Sequence, residues 1–373
     1  MDVKIHNMKK YTLFILSIFL ILVLKAQQPL PINLLKLKAT HNSYGCAGHS
    51  SFLGIESGNS CPVINNPPPE QIDDYGVWGL ELDFSVKSGV LTIGHDGGTG
   101  RDNTWSDDSW GITVEAYLRR IKSTRAFSEK YRPIFIRFGK KCWGDNNQLV
   151  PNNDPNNWYQ KLKTILINVF GRENIFGKKE HDSSGWLTIK DLGGKIIPWV
   201  GLEYECSLSR QGELLNLNFR PPYTDDMLFW DDPVERVLLK DGDNKSPQTR
   251  TDAIYNANRH YTLISQDLYQ FDWTFEGTAP PNPIYVVQNA PENISITNIF
   301  GDECDDGTDP RKPFIVHQQG TFKMPFDKVG ESVNKAYAGW TILMKAGNYN
   351  EKNLKISKPL TLKADGGTVI IGK

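Results

Sequence analysis

Three short segments place histidines, carboxylates and an amide next to apolar stretches, where a folded chain can present them to a ligand. His41 and Asn42 follow the first stretch, and Glu81 and Asp83 stand two residues apart in the second. His95 follows the third stretch and is flanked by glycines, which let a ligand approach the backbone closely. Because imidazole titrates near neutral pH, one histidine can accept a proton while the other donates one. The set therefore indicates acid–base chemistry on a phosphoester.

Glu81 and Asp83 are expected on the same face of one strand, because side chains alternate with a period of two residues. Two inward carboxylates side by side are costly without a positive partner. Together with Asn42 they offer the oxygen ligands that Ca²⁺ prefers. Such a cation would neutralise charge on a phosphate and acidify an attacking hydroxyl. The sequence therefore predicts a calcium site formed by Asn42, Glu81 and Asp83.

The elements that must position these residues alternate between short apolar runs and longer amphipathic runs. Strands are predicted at residues 34–37, 79–84, 90–94, 133–138, 195–201 and 260–265, and helices at 113–131 and 157–170. This alternation indicates an α/β fold with a parallel sheet. Residues 27–290 have the size of a (β/α)8 barrel, roughly 250 residues, so the prediction is a distorted TIM-type barrel. An open doubly wound sheet is the alternative, although no dinucleotide or phosphate-loop motif supports it.

The C-terminal part has a different pattern. Residues 291–324 are predicted as a linker, and residues 325–373 contain short alternating strands separated by Gly and Asn turns. This spacing suits solenoid coils, and the segment resembles the opening coil of right-handed parallel β-helix proteins of the pectate-lyase-like class. One or two coils fit, whereas a solenoid needs about three repeats to bury a core. Either this small all-β tail docks on the barrel, or the chain is the front of a longer product.

The N-terminus has the pattern of a secretory signal peptide over residues 1–26. Lys9 and Lys10 precede the apolar run 11–24, and Ala26 provides a small residue for cleavage. A membrane anchor is the alternative, but the run is shorter than the roughly 20 residues that span a bilayer. We therefore expect a secreted or periplasmic protein.

An oxidising compartment makes disulfides plausible. Cys46 and Cys61 bracket a Gly/Ser-rich loop and could close it, and Cys142 and Cys206 each follow an apolar strand and could meet. Cys304 is left over from the five cysteines. None has the C-x-x-C spacing of a zinc site.

The charge balance bears on possible partners. Lys and Arg number 42 and Asp and Glu 43, giving a formal net charge of -1 for 373 residues. This balance argues against general nucleic-acid binding, which needs a basic surface. A brief membrane contact through local groups fits better, and we expect a monomer.

The motifs together resemble a known family. His41-Asn42 within Thr-His-Asn-Ser-Tyr, the pair Glu81-x-Asp83, and His95 in a Gly-His-Asp turn resemble the X-region of phosphatidylinositol-specific phospholipase C, nearest to the secreted bacterial, calcium-dependent type. Residues 185–197 and 261–267 resemble later barrel segments of this family. The resemblance covers roughly residues 33–270.

The resemblance implies roles for these residues. His41 would be the general base on the inositol 2-hydroxyl, and His95 the general acid for the diacylglycerol oxygen. Asn42, Glu81 and Asp83 would hold Ca²⁺. The products would be diacylglycerol and a cyclic inositol phosphate, which is open to later hydrolysis.

One departure from the family pattern concerns the next strand, where the calcium type has a further acidic ligand. Here Gly139 aligns with that position, and Arg137 and Lys141 share its face. Either Ca²⁺ is held by three protein ligands and water, or Arg137 or Lys141 substitutes in part, or these bases form a buried ion-pair network with the two acids. Arg137 and Lys141 are candidate substrate contacts, as are Trp199 and Tyr269, which could stack on a sugar, form a lipid-facing rim or belong to the core.

Two other functions compete. Glycerophosphodiester phosphodiesterases share the barrel, the E-x-D pair and the His-Asp turn, but they typically begin with His-Arg-Gly, where this chain has His41-Asn42-Ser43. A barrel without turnover that binds lipids or glycans is the non-enzymatic alternative.

Overall fold

The computed structural model describes residues 29–40, 43, 68–87, 89–93, 113–144, 158–202, 230–231, 240–241, 263–266, 279–296 and 314–372. The helices of this part are Pro68–Asp73 (α1), Val114–Lys122 (α2), Arg125–Ser128 (α3), Trp158–Phe170 (α4), Lys178–Ser184 (α5), Ile189–Leu192 (α6) and Val329–Lys335 (α7). The strands of the main sheet are Leu37–Thr40 (β1), Gly79–Lys87 (β2), Val90–Ile93 (β3), Ile134–Gly144 (β4), Ile196–Leu202 (β5), Trp230–Asp231 (β6), Lys240–Asp241 (β7) and Leu263–Gln266 (β8). The C-terminal strands are Ile284–Val286 (β9), Asn293–Ile296 (β10), Phe314–His317 (β11), Thr341–Tyr349 (β12) and Thr361–Ile371 (β13).

The fold of the described residues is mixed α/β, and their main sheet has eight strands in the order β6-β5-β4-β2-β1-β8-β7, with β3 paired to β2. Every neighbour pair along this order is parallel, including β1 with β8. The pairing of the first strand with the last in sequence is what a closed barrel requires. A pairing between β6 and β7 would complete the circle, but it is not seen among the described residues, so the barrel itself remains a proposal.

Two elements differ from the sequence prediction. β1 starts at Leu37, because residues Ile32–Leu34 form a 3-10 turn in which Leu34 is 61% exposed. β3 runs antiparallel to β2, because a tight turn through Gly89, with a φ of 75°, returns the chain at once. A parallel neighbour would need a long crossover instead.

The predicted helix at 113–131 is divided. Thr113 caps α2 by accepting a hydrogen bond from the Ala116 N–H, and Thr124 caps α3 in the same way from Phe127. The carboxylate of Asp73 also accepts from the N–H groups of Arg125 and Ala126. This second set of caps starts a new helix where the periodicity alone continues the first.

The outer face of the main sheet packs against α2 and α4. Leu80, Leu82 and Phe84 of β2 share a buried cluster with residues of both helices, among them Tyr117 and Leu162. We call the opposite side of the sheet the inner face. Its apolar part contains Leu37, Ala39, Phe135 and Ile197.

The C-terminal segment packs on that apolar part of the inner face. Its sheet has the order β13-β12-β9 with parallel pairing, and β10 pairs antiparallel with β11. Buried residues of this segment join the same core as Leu37 and Phe135, and the rings of Trp78 and Trp340 lie 5.9 Å apart. The tail therefore docks on the main sheet. Strands β10 and β11 lie within the range predicted as a linker, and the β-helix remains a prediction.

Arg132 makes polar contacts within the main part of the chain, next to Trp78, and Lys363 makes a contact that crosses from the C-terminal segment. Arg132 is buried, donates to the carbonyl of Gly76 at 3.1 Å and to that of Ile72, and its guanidinium lies 4.9 Å from the ring centroid of Trp78. Burial lowers the pKa of Arg132 to about 10, which leaves it charged at neutral pH. Lys363 of β13 reaches Glu129 at 3.2 Å.

Residues 1–26, predicted as a signal peptide, lie outside the described part of the chain. Among the helices that are described, none is long and apolar enough to cross a membrane.

Candidate active site

The inner face of the main sheet changes from apolar to charged along the strands. The strand register places Gly79, Phe135 and Ile197 side by side, and two residues further along it aligns Glu81, Arg137 and Trp199. The third layer consists of Asp83, Gly139 and Gly201. We refer to these as the apolar, charged and glycine layers.

Glu81 and Asp83 are both almost completely buried, with exposures of 2% and 1%. Their neighbours Leu80 and Leu82 belong to the outer cluster, so alternation along β2 directs both carboxylates to the inner face. A carboxylate in such surroundings needs a cation or several hydrogen-bond donors close by.

Arg137 supplies that cation for Glu81. The two residues are register partners on adjacent strands, and Arg137 Nη1 donates to Glu81 Oε1. The side chains are 18% and 3% exposed, so the ion pair is largely shielded from water. The sequence left three arrangements open: calcium held by three protein ligands and water, a base that substitutes for it in part, or an ion-pair network. The structure shows a contact between one base, Arg137, and one acid, Glu81.

The glycine layer puts no side chain of β4 or β5 next to Asp83. Its register partner Gly139 and the partner of that residue, Gly201, carry no side chains. Glycine in a strand interior often marks a place where a ligand approaches the backbone. Strands β4 and β5 therefore place no side chain over the inner face at the level of Asp83.

The end of β1 is attached to β2 at the level of Glu81. Thr40 pairs with Leu80, and beyond the next two residues the Ser43 N–H donates to the Glu81 carbonyl at 3.0 Å. In return, the Glu81 N–H donates to Ser43 Oγ at 2.8 Å. The residues on either side of the His41-Asn42 pair are thus held against β2.

A buried polar network supports this attachment. Thr40 Oγ1 donates to Gln71 Oε1 at 2.6 Å, Gln71 Nε2 donates to the Ser43 carbonyl at 2.7 Å, and the two hydroxyl oxygens lie 2.7 Å apart. All three side chains have an exposure of 0%. No local sequence pattern marks Gln71, and Thr40 and Ser43 stand out only as neighbours of the histidine and the asparagine.

Strand β3 precedes the third motif in the sequence, and its described residues pair with the second half of β2. Its last residue, Ile93, is the register partner of Phe84, which follows Asp83. The described chain therefore ends beside Phe84, two residues before His95.

Several predicted residues lie outside the described part of the structure. These are His41, Asn42, His95, Tyr269, Cys46, Cys61, Cys206 and Cys304. For Lys141, Cys142 and Trp199 the backbone belongs to β4 or β5, but the side chains are outside it. The structure thus brings together Glu81, Asp83 and Arg137.

A calcium ion can be tested against these residues by their chemistry. Among the described residues, no group of three His, Cys, Asp or Glu side chains is arranged to hold a metal. Glu81 and Asp83 nevertheless provide two buried carboxylates in adjacent layers, and Arg137 pairs with Glu81. Oxygen donors with an excess of negative charge suit a hard cation, so the acids fit Ca²⁺, with Arg137 as a competitor for Glu81.

Comparison with known proteins gave structural similarity only. No family model matches the chain, and no curated protein matches it either. A calcium-dependent phosphoinositol-specific phospholipase C from a Gram-negative bacterium, Pseudomonas sp, is 15% identical with a TM-score of 0.41, covering 67% of this chain and 92% of that chain. The phosphatidylinositol-specific phospholipase C from Listeria monocytogenes is 16% identical with a TM-score of 0.32, covering 48% and 55%. A mutant of the enzyme from Staphylococcus aureus is 11% identical with a TM-score of 0.32, covering 48% and 51%.

Proposed function

We propose that this protein is a phosphodiesterase of the phospholipase C type, which cleaves phosphatidylinositol or a related glycerophosphodiester. The observation that carries the proposal is the charged layer: Glu81 is buried against Arg137, with Asp83 next to it. The segment leading into His41 and Asn42 is attached at the same level. The two acids and the guanidinium therefore share the inner face, and in this proposal the histidine motif joins them there.

The proposed reaction assigns one proton transfer to each histidine. His41 takes the proton from the 2-hydroxyl of the inositol ring, and that oxygen attacks phosphorus. The bond from phosphorus to the diacylglycerol oxygen breaks, and His95 donates a proton to the departing oxygen. The products are diacylglycerol and a cyclic inositol phosphate, and two histidines of opposite protonation suit this exchange near neutral pH.

Arg137 and the glycine layer have separate roles in this proposal. The ion pair with Glu81 holds the guanidinium at the inner face, where its planar array of donors suits phosphate oxygens. Gly139 and Gly201 leave space for the substrate beside Asp83. The aromatic candidates Trp199 and Tyr269 would contact the sugar or the lipid, and Lys141 would add positive charge.

Calcium is the proposed cofactor. Asn42, Glu81 and Asp83 would hold it, and when bound it would neutralise phosphate charge and lower the pKa of the attacking hydroxyl. If Arg137 supplies the positive charge by itself, cleavage will continue in EDTA. If calcium is needed, EDTA will abolish cleavage and added Ca²⁺, but not Mg²⁺, will restore it.

We further propose that residues 1–26 direct secretion and are removed, that residues 27–290 form the catalytic barrel, and that residues 325–373 form a β-helix-like segment. The protein would act as a monomer that contacts a membrane briefly. The proposed disulfides join Cys46 to Cys61 and Cys142 to Cys206.

The assay for the proposed function is release of inositol phosphate from phosphatidylinositol micelles by the purified protein. We expect cleavage by the wild type and loss of cleavage in His41→Ala and His95→Ala. His181→Ala is a matched control, because His181 lies in α5 and contacts Asp182 and Trp186. Binding of the micelles without cleavage of any phosphodiester would favour the lipid-binding barrel, since the Glu81–Arg137 pair could also be purely structural. Cleavage of glycerophosphodiesters alone would favour the glycerophosphodiesterase alternative.

A further inference from the structure

The network of Thr40, Ser43 and Gln71 connects helix α1 to the end of β1. Gln71 uses both ends of its amide: Oε1 accepts from the Thr40 hydroxyl and Nε2 donates to the Ser43 carbonyl. Ser43 Oγ also donates to the Thr40 carbonyl at 2.9 Å. Each partner is thereby tied to the other two.

Because this network is buried, each of its polar groups needs a hydrogen-bond partner within the protein. Its three side chains are completely shielded from water, and a buried polar group that loses its partner is strongly disfavoured. A fully satisfied network of this kind fixes one arrangement of the backbone around it. An apolar contact between α1 and β1 would fill the same space without fixing that arrangement.

The arrangement that is fixed includes Glu81. The backbone of Ser43 bonds to the Glu81 carbonyl, and the Ser43 hydroxyl receives the Glu81 N–H. Through these contacts Gln71 controls how the end of β1 meets the strand that carries both acids. The two residues between Thr40 and Ser43 are those to which the proposed function assigns proton transfer and metal binding.

We propose that Gln71 is a positioning residue for the phosphodiesterase reaction, acting through Thr40 and Ser43, which flank His41 and Asn42 in the sequence and hold the end of β1 to the backbone of Glu81. This inference rests on the proposed function. Gln71 lies at a helix position with no direct role in the chemistry, so its loss should reduce kcat and leave KM nearly unchanged.

The variant Gln71→Glu tests the positioning role, because the introduced carboxyl group changes its protonation state with pH. An ionised carboxylate keeps the acceptor for Thr40 but replaces the donor to the Ser43 carbonyl with a repulsive oxygen. The protonated form regains a donor, and burial favours protonation. We therefore expect kcat to be about 10- to 100-fold below the wild type at high pH, because small displacements of reacting groups cost this much. The deficit should shrink as the pH falls.

Gln318→Glu is the matched control. Gln318 likewise uses both ends of its amide: it accepts from the Asp327 N–H and donates to the carbonyls of Ala290 and Pro291, but it lies in the C-terminal segment. Its kcat should follow the wild type at every pH. Circular dichroism at each pH gives the folded fraction, by which the rates are normalised.

A second pair of variants covers the case in which Gln71→Glu does not fold. Thr40→Val removes the hydroxyl at nearly constant volume and should lower kcat, whereas Thr40→Ser keeps the hydroxyl and should restore it. If folded Gln71→Glu follows the wild type at all pH values, or Thr40→Val retains full kcat, the positioning role is overturned while the proposed function stands. If the wild type cleaves no phosphodiester, both are overturned together.

Discussion

Arg137 donates to Glu81 across adjacent parallel strands, and this ion pair lies one layer below Asp83 on the inner face of the sheet. The pair gives the buried carboxylate of Glu81 a cationic partner on the neighbouring strand. It also keeps a guanidinium on the inner face, in the layer next to Asp83. Under the proposed function, stability and activity both depend on this contact, and variants can separate the two.

Arg137→Met should lower both the free energy of unfolding and the rate of cleavage. It leaves Glu81 buried without this partner, and breaking a buried ion pair costs about 3 kcal/mol of unfolding free energy. The double variant Arg137→Met, Glu81→Gln should recover most of that stability in urea unfolding, yet remain at least about 100-fold less active. Recovery of activity along with stability would show that the pair is only structural.

The glycine layer should tolerate no side chain if it admits the substrate. Gly201→Ala should raise KM about 10-fold or more, and Gly201→Val should raise it further, since a group added beside the ligand excludes it. Michaelis curves on phosphatidylinositol micelles provide the test, and thermal melts check the fold. A KM that is unchanged in both variants would mean that the substrate lies elsewhere.

The junction between the main sheet and the tail should be acid-sensitive. The hydrogen bond from the Tyr131 hydroxyl is the main cause that lowers the pKa of Glu129 from 4.5 to about 2, with further contributions from Arg125 and Lys363. Because the folded pKa lies below the unfolded value, this stabilisation is present above pH 4.5 and is lost as the pH falls toward 2.

Tyr131→Phe should therefore melt below the wild type at pH 7, with a difference that shrinks between pH 4.5 and 2. Tyr337→Phe, outside this cluster, is the matched control and should show a constant difference. The prediction fails if the Tyr131→Phe difference is also constant across this range.

The docked tail should unfold together with the main sheet. Trp340 is 2% exposed and packs against Trp78, so Trp340→Ala should cost about 3–5 kcal/mol in a single cooperative transition. Leu362→Ala, at a position that is 37% exposed, should cost much less. Two separate transitions in wild-type urea unfolding would contradict the shared core.

The sequence predicts that Glu81 and Asp83 lie on the same face of one strand, because the alternation of side chains along a strand depends on local chain geometry alone. It also placed Arg137 on the matching face of the next strand, but a choice between a metal and an ion pair requires the register, which no single segment contains. Gln71 could not be found, because its partners lie 28 and 31 residues away along the chain. The apolar pattern predicts the strand at 90–94 but does not give its direction. That direction depends on the turn through Gly89, which makes β3 antiparallel to β2. The docking of the tail depends on Trp78 meeting Trp340, and no pattern near either residue predicts that contact.

The most direct test of the central claim is phosphorus NMR of phosphatidylinositol micelles incubated with the purified protein. Wild-type protein should convert the phospholipid signal into that of a cyclic inositol phosphate, while His41→Ala should leave it unchanged and His181→Ala should behave as the wild type. A phospholipid signal that persists with wild-type protein in the presence of Ca²⁺, or equal conversion by His41→Ala, would contradict the account.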